Sequence, residues 1–242
     1  AYEIRPRDWS SDVCSSDLAV LDGLPRHPRT RFAPAPTGDL HLGHLVNAVL
    51  VWGIARATGG SVVLRLEDHD RQRSRAAWEA GILADLDRLG LVPDEPDPGT
   101  FDGPCAWRQS DHPERYAAAL APLAERGLVY GCDCARSTFD AWAAAHGRPW
   151  SGPGCPGGCA ARGLGTGDGS TLRLALGAGT ERWDDGALGP SGGDAAAHGD
   201  LPVRDRSGNW TYGWCVVVDD LHDRIDLVIR GERSEEHTSE LQ

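Results

Sequence analysis

Apolar residues between Leu40 and Ala57 recur at Leu42, Leu45, Val46, Val49, Leu50 and Ile54, the spacing of one helical face. Thr58-Gly59-Gly60 ends that run. Ser61-Val62-Val63-Leu64-Arg65-Leu66 follows as a β-branched, apolar segment that predicts a buried strand closing on Glu67-Asp68. Ahead of the helix, Thr30-Arg31-Phe32-Ala33 predicts a short strand, and Pro34-Ala35-Pro36-Thr37-Gly38-Asp39 a stiff turn. A second helix is expected from Arg75 to Leu89, with Gly90 as its stop. Strand, helix, strand, helix in this order predicts an α/β fold built on a doubly wound parallel sheet.

Beyond a Pro/Gly/Asp-rich loop from Pro93 to Pro104, Ser110 is placed to cap a helix running to Arg126. The stretch Tyr130 to Leu164 holds four Cys and many Gly and Pro, with too little apolar periodicity to fold alone. Strands are expected at Thr171–Leu176, Leu201–Arg204 and Ile225–Arg230. The Gly/Asp/Ala-rich segment from Gly177 to Gly199 reads as a mobile loop, and Arg206-Ser207-Gly208-Asn209 as a turn. No internal repeat is visible.

Composition narrows the function. All 24 basic residues are Arg, and net charge is −12, which argues against a module that binds nucleic acid by bulk charge. Any RNA contact would come from a local Arg patch. No run of 18 apolar residues exists, so no membrane partner is expected, and the absence of a secretory pattern reads as cytoplasmic. Residues 1–18 and 233–242 resemble translated sequencing adapter and are read as non-native tails; Cys14 falls in the first.

Two constellations carry chemistry. Pro36-Thr37-Gly38-Asp39-Leu40-His41-Leu42-Gly43-His44 sits where a strand gives way to a helix. Gly38 and Gly43 let backbone approach a ligand, and the helix tip offers N–H groups to a phosphate. His41 and His44 share a face of the first turn and can donate to phosphate oxygens as charge develops there. A capped helix with two incidental His is the bland alternative. The second constellation is Cys132-Asp133-Cys134 with Cys155-Pro156-Gly157-Gly158-Cys159, or C-x-C-x20-C-x3-C. Four thiolates suit tetrahedral zinc, which would supply the core this stretch lacks. Two disulfides or buried free thiols are the alternatives. Cys105 and Cys215 have no ligand partner in the sequence and read as incidental.

The string from Arg31 to His44 resembles the opening of glutamyl-type class I aminoacyl-tRNA synthetases, with His41–His44 as their HIGH element. Leu64-Arg65-Leu66-Glu67-Asp68-His69-Asp70 is similar to the family's L-R-I-E-D-x-D. Arg108-Gln109-Ser110 is similar to its R-Q-S, Tyr212 with Val216-Val217-Val218-Asp219-Asp220 to its Y-x-x-A-V-V-V-D-D, and Val228-Ile229-Arg230-Gly231-Glu232 to V-I-R-G-E-D. The resemblance covers about residues 31–232. It implies a Rossmann-like catalytic domain that activates L-glutamate with ATP and Mg2+.

The implied glutamate site is Arg31, Phe32, Ala33, Pro34, Ala35, Glu67, Tyr212 and Arg230; the implied ATP site is Thr37, Gly38, His41, Gly43 and His44. The chemistry agrees, since two carboxylates call for Arg and an ammonium for an acid. Alone, Glu67 could equally be a solvated strand end or a magnesium ligand, and Tyr212 a core residue. Ala35 stands where the family more often has Ser.

Within the family, one candidate charges tRNA(Glu). The other is a paralogue, little more than a catalytic core, that attaches glutamate to queuosine in the tRNA(Asp) anticodon. The Cys element and the segments around residues 182–190 and 199–212 resemble the paralogue, whose third metal ligand is often a Tyr where this chain has Cys155. A noncatalytic zinc-dependent RNA-binding module is the alternative from another class. The expected organisation is a first catalytic half over 19–128, a zinc-binding insertion over 129–170, and a second half over 171–232, in a monomer. Class I enzymes use a later K-M-S-K-S-like loop; the chain has no Lys and is expected to stop short of that loop, to bind glutamate weakly and barely to turn over.

Overall fold

A computed structural model describes residues 21, 23–152, 154–167 and 169–230. The readings of residues 1–18, of Cys14, of Gly231-Glu232 and of 233–242 lie outside them.

Strand β1 (Arg29–Phe32) pairs in parallel with β2 (Ser61–Leu64), in register from Arg29 against Ser61 to Phe32 against Leu64. Helix α1 (Leu42–Thr58) is the crossover. Parallel bridges Val63–Glu95 and Leu66–Arg108 extend the sheet outward on the β2 side, so the expected strand over 61–66 breaks into a ladder and a single bridge. Helix α2 (Ala76–Arg88) completes the strand–helix–strand–helix pattern. The fold is α/β with a parallel sheet, as the periodicity predicts.

The face that α1 buries is not its most apolar one. Ala48, Val51, Trp52, Ala55 and Thr58 are buried, whereas Leu42, Val46, Val49 and Leu50 are 50–76% exposed. Small Ala side chains let the helix lie close to the sheet. Trp52 anchors it, packing 5.5 Å from the Phe32 ring and donating its indole N–H to the Val92 carbonyl. Val62, Leu64, Leu66, Ile82 and Leu86 complete this first core.

A second sheet is antiparallel, ordered β3 (Val129–Cys132), β4 (Thr171–Leu174) and β7 (Leu201–Arg204). Helices α3 (Pro113–Glu125) and α6 (Tyr212–His222) pack against it, and Tyr116, Leu120, Leu172, Val203, Trp214 and Val218 form a second core. Between β3 and β4 stand α4 (Arg136–His146) and the one-turn α5 (Cys159–Arg162).

Three expectations need correction. Ser110 does not cap α3: it lies in a 3-10 turn, Gln109–Asp111, with its N–H on Asp68, and the helix starts at Pro113, whose fixed φ and missing N–H suit that position. The supposed loop over 177–199 holds an antiparallel hairpin, β5 (Glu181–Asp185) with β6 (Gly189–Gly193), and a 3-10 turn at Ala195–His198. Asp185 builds its tip by accepting from the N–H groups of Ala187 and Leu188, a side-chain turn that apolar counting does not register. Ile225–Arg230 is not a ladder strand. Toward β1 it makes no ladder: Asp226 and Leu227 N–H both donate to the Arg29 carbonyl, while the Asp226 carboxylate takes the Arg29 N–H at 2.6 Å.

Candidate active site and metal centre

The turn after β1 delivers His41 to the N-cap of α1. Gly43 N–H donates to His41 Nδ1 at 3.1 Å, and His41 N–H donates to His44 Nδ1 at 3.3 Å. The two rings stack with centroids 3.8 Å apart. Because both Nδ1 atoms accept, both neutral rings carry their proton on Nε2. A Cβ on Gly43 would lie 3.0 Å from the His41 ring, so glycine is what lets that ring fold back over the helix tip. Burial, then the neighbouring His41, lowers the His44 pKa. Thr37 is exposed, and a Cβ on Gly38 would meet open space.

The carboxyl ends of β1 and β2 bring other groups together. Arg31 is 8% exposed and gives its Nε to both oxygens of Asp220, at 3.2 and 3.3 Å. Glu67 is 4% exposed and accepts from Arg65 Nη2 at 3.1 Å. Burial raises the Glu67 pKa, against the pull of Arg65, Arg31 and His69. Tyr212, in the first turn of α6, has its hydroxyl pKa raised by burial and by Glu67, with Arg31 and Arg230 opposing. Arg31, Glu67, Tyr212 and Arg230 therefore lie within electrostatic reach of one hydroxyl. Arg230 also acts on Asp185 of the hairpin.

The remaining residues of the implied site contribute differently. Phe32 points into the first core, and its carbonyl accepts from Arg65 N–H. Pro34 is buried and its carbonyl accepts from Glu67 N–H, which fixes the height of Glu67. Ala33 is half-buried and Ala35 exposed. The hydrogen bonds and ring contacts of His41 and His44 are with each other and with the first turn of α1.

Beneath this surface lies an ionic network that the sequence reading left unassigned. Arg65, 1% exposed, meets Glu67, Asp220 at 2.8 Å and Asp223 at 3.1 Å. Asp219, fully buried, accepts from Gln109 Nε2 at 2.8 Å, Arg115 Nη1 at 2.7 Å and Tyr116 Oη at 2.9 Å. The acids hold the Arg65 pKa above its ordinary value despite burial. Two signals mark the network in the sequence: an Arg inside the apolar strand Leu64-Arg65-Leu66, and acids at 219, 220 and 223, which a helix sets on adjoining faces.

The four sulfurs of Cys132, Cys134, Cys155 and Cys159 lie within 4.8 Å of one another. Cys132 and Cys155 are 3.8 Å apart, Cys134 and Cys159 3.6 Å. Those separations exclude disulfides and match the roughly 3.8 Å edge of a tetrahedron with metal–sulfur bonds near 2.3 Å. A Cβ on Gly157 would come 2.7 Å from the Cys134 sulfur, so the turn requires glycine there. Cys159 N–H donates to the Cys155 sulfur, and with the neighbouring thiols it lowers the Cys155 pKa although burial opposes. Burial pushes the Cys134 thiol up to about 11, a cost a bound cation would reverse. Asp133 accepts from Arg162 and from the Cys159 thiol, bracing the rim. The cluster can hold a metal ion. Cys105 and Cys215 are buried away from it.

Residues 28–146 match the family described as tRNA synthetases class I (E and Q), catalytic domain. A glutamyl-Q tRNA(Asp) synthetase from Nitratidesulfovibrio vulgaris (strain Hildenborough) is 39% identical over 84% of this chain and 65% of its own length. One from Rhodobacter capsulatus is 38% identical over 84% of this chain and 76% of its own. The chain thus spans about two thirds to three quarters of the length of these two relatives. The fold matches a glutamate tRNA ligase from Elizabethkingia meningosepticum, solved in complex with its amino acid, with a TM-score of 0.71 at 24% identity over 88% of this chain and 45% of that one. With an α/β parallel sheet, four cysteines placed to hold a metal ion, and these relatives, the chain belongs to the glutamate- and glutamine-type class I tRNA synthetase family.

Proposed function

We propose that the chain is the catalytic core of a cytoplasmic, monomeric ligase that activates L-glutamate with ATP and Mg2+ and passes the glutamyl group to queuosine in the anticodon of tRNA(Asp). What supports the glutamate reading is the placement of buried Arg31 and Glu67 at the carboxyl ends of β1 and β2, where ligands of open α/β sheets bind, with Arg230 and Tyr212 electrostatically coupled to them. Arg31, with Nε fixed by Asp220, turns the rest of its guanidinium to a carboxylate. Glu67 receives the ammonium and Tyr212 adds a hydroxyl. Nε2–H groups of His41 and His44 meet the α-phosphate as negative charge builds on it during attack by the glutamate carboxylate and departure of pyrophosphate. Thr37, Gly38 and Gly43 line the phosphate approach; Phe32 to Ala35 supply backbone.

Cys132, Cys134, Cys155 and Cys159 would hold a structural zinc, which supplies folding energy to the insertion over 129–170 and takes no part in the chemistry. The queuosine acceptor is favoured over the tRNA(Glu) 3′ end because glutamyl-Q synthetases match the chain at 38–41% identity and glutamate tRNA ligases at 35–38%. The test is charging of purified tRNA(Asp), with and without queuosine, by the chain extended to the length of its relatives. Glutamylation only of queuosine-containing tRNA(Asp) supports the reading; charging of tRNA(Glu) instead would replace it. Absence of glutamate-dependent ATP–pyrophosphate exchange would leave an RNA-binding module.

A further inference from the structure

An ammonium brings three donors, and a partly buried site for it needs more than one acceptor. In the reading above Glu67 is that acceptor, yet its Oε1 is already engaged by Arg65. The ring nearest to hand is His69. Its centroid lies 5.9 Å from that of Tyr212, and it follows Glu67 by two positions at the strand end.

A buried relay fixes the tautomer of this ring when it is neutral. His69 Nδ1 lies 2.9 Å from Gln109 Oε1. Gln109 is 2% exposed, and its amide nitrogen donates to Asp219 Oδ2 at 2.8 Å. Asp219 also accepts from Arg115 and Tyr116, so it is an acceptor toward all three, and the Gln109 amide has one orientation. Its Oε1, turned to His69, can only accept. The proton of the neutral imidazole therefore sits on Nδ1, and the lone pair sits on Nε2, facing away from Gln109. Nε2 makes no hydrogen bond among the described residues.

We infer that His69 is a specificity-determining residue of the amino-acid site: its Nε2 accepts from the substrate's α-ammonium beside Glu67, with Gln109 and Asp219 as positioning residues. The inference rests on the glutamate reading above. His69 occupies the open position of the L-R-I-E-D-x-D pattern, so the contact belongs to this chain rather than to the pattern.

The test compares L-glutamate with glutarate, which keeps both carboxylates and lacks the ammonium, by titration calorimetry on the metal-loaded chain. His69→Asn retains an N–H for Gln109 and removes Nε2; His69→Gln restores an acceptor near the Nε2 position. Hydrogen bonds to charged groups predict that H69N weakens glutamate about ten- to a hundredfold, with glutarate unchanged and H69Q intermediate. Equal affinities for glutamate in wild type and H69N would overturn the assignment, as would parallel losses for glutamate and glutarate, which mark a structural role. If the wild-type chain prefers glutamate to glutarate in none of these titrations, the parent reading fails and the assignment falls with it. Thermal unfolding of each variant identifies one that fails to fold; H69Q, the milder change, then decides.

Discussion

Protonating His44 would place an N–H where its Nδ1 now accepts from the His41 backbone, and would set a charge against the stacked His41 ring. The fold therefore favours the neutral ring, and the His44 pKa is lowered from its ordinary 6.5. The sign follows: the unfolded chain takes up the proton first, so stability is highest above pH 6.5 and declines as pH falls through the lowered value. An NMR titration should place the His44 midpoint below 6.5; a midpoint above it would contradict the capping geometry. At Asp220, one carboxylate serves both Arg31 and Arg65. Asp220→Ala frees Arg31 from its Nε anchor, and an affinity loss for glutamate of about tenfold or more is expected, the size of one charge-assisted hydrogen bond. Asp220→Glu should recover part of it in the same titration.

At the scale of elements, the four-cysteine cluster ties β3 to α5 across a stretch with few apolar side chains; its small core is Tyr130 and three of the cysteines. Stripping zinc with a chelator should leave the amides of residues 129–134 and 155–164 open to hydrogen exchange, while those of β2 in the first core stay protected. Uniform loss of protection would show instead that the insertion and the parallel sheet fold as one unit. Gly157→Ala, with its Cβ against the Cys134 sulfur, should lower zinc affinity measured by competition with a chromogenic chelator. The helical spacing of α1 was legible, but its buried face was not. Leu42, Val46, Val49 and Leu50 outweigh Ala48 and Ala55 in hydrophobicity, and only the sheet's demand for close approach selects the Ala face. The β5–β6 hairpin escaped notice because it buries little and is set by side-chain turns and backbone pairing rather than by apolar alternation.

Across the whole molecule, Asp219 joins the two halves. It binds Gln109 next to the parallel sheet, and Arg115 and Tyr116 on α3 in the second core. Arg65, just past the end of β2, reaches α6 at Asp220 and its C-cap Asp223. Removing one member of such a buried set strands the others, at a cost of about 3–5 kcal/mol. Asp219→Ala should lower the denaturant midpoint accordingly and split one unfolding transition into two, read by fluorescence and far-UV dichroism. Asp219→Asn, which can still accept from two partners, should lose less. A single unshifted transition for Asp219→Ala would show that the halves hold together through apolar packing alone.

Local pattern was enough for the order of strands and helices around the parallel sheet, for the helix tip bearing His41 and His44, and for the cysteine spacing, because each depends on residues close together in the chain. The long-range partners are not local: Arg65 meets Asp220 across 155 positions and Arg31 meets Asp220 across 189. Which acid neutralises which guanidinium, which end of the Gln109 amide faces His69, and which face of α1 is covered were decided only when the chain closed on itself. Burial then forced every charge to find a partner, and few arrangements of those groups satisfy all of them.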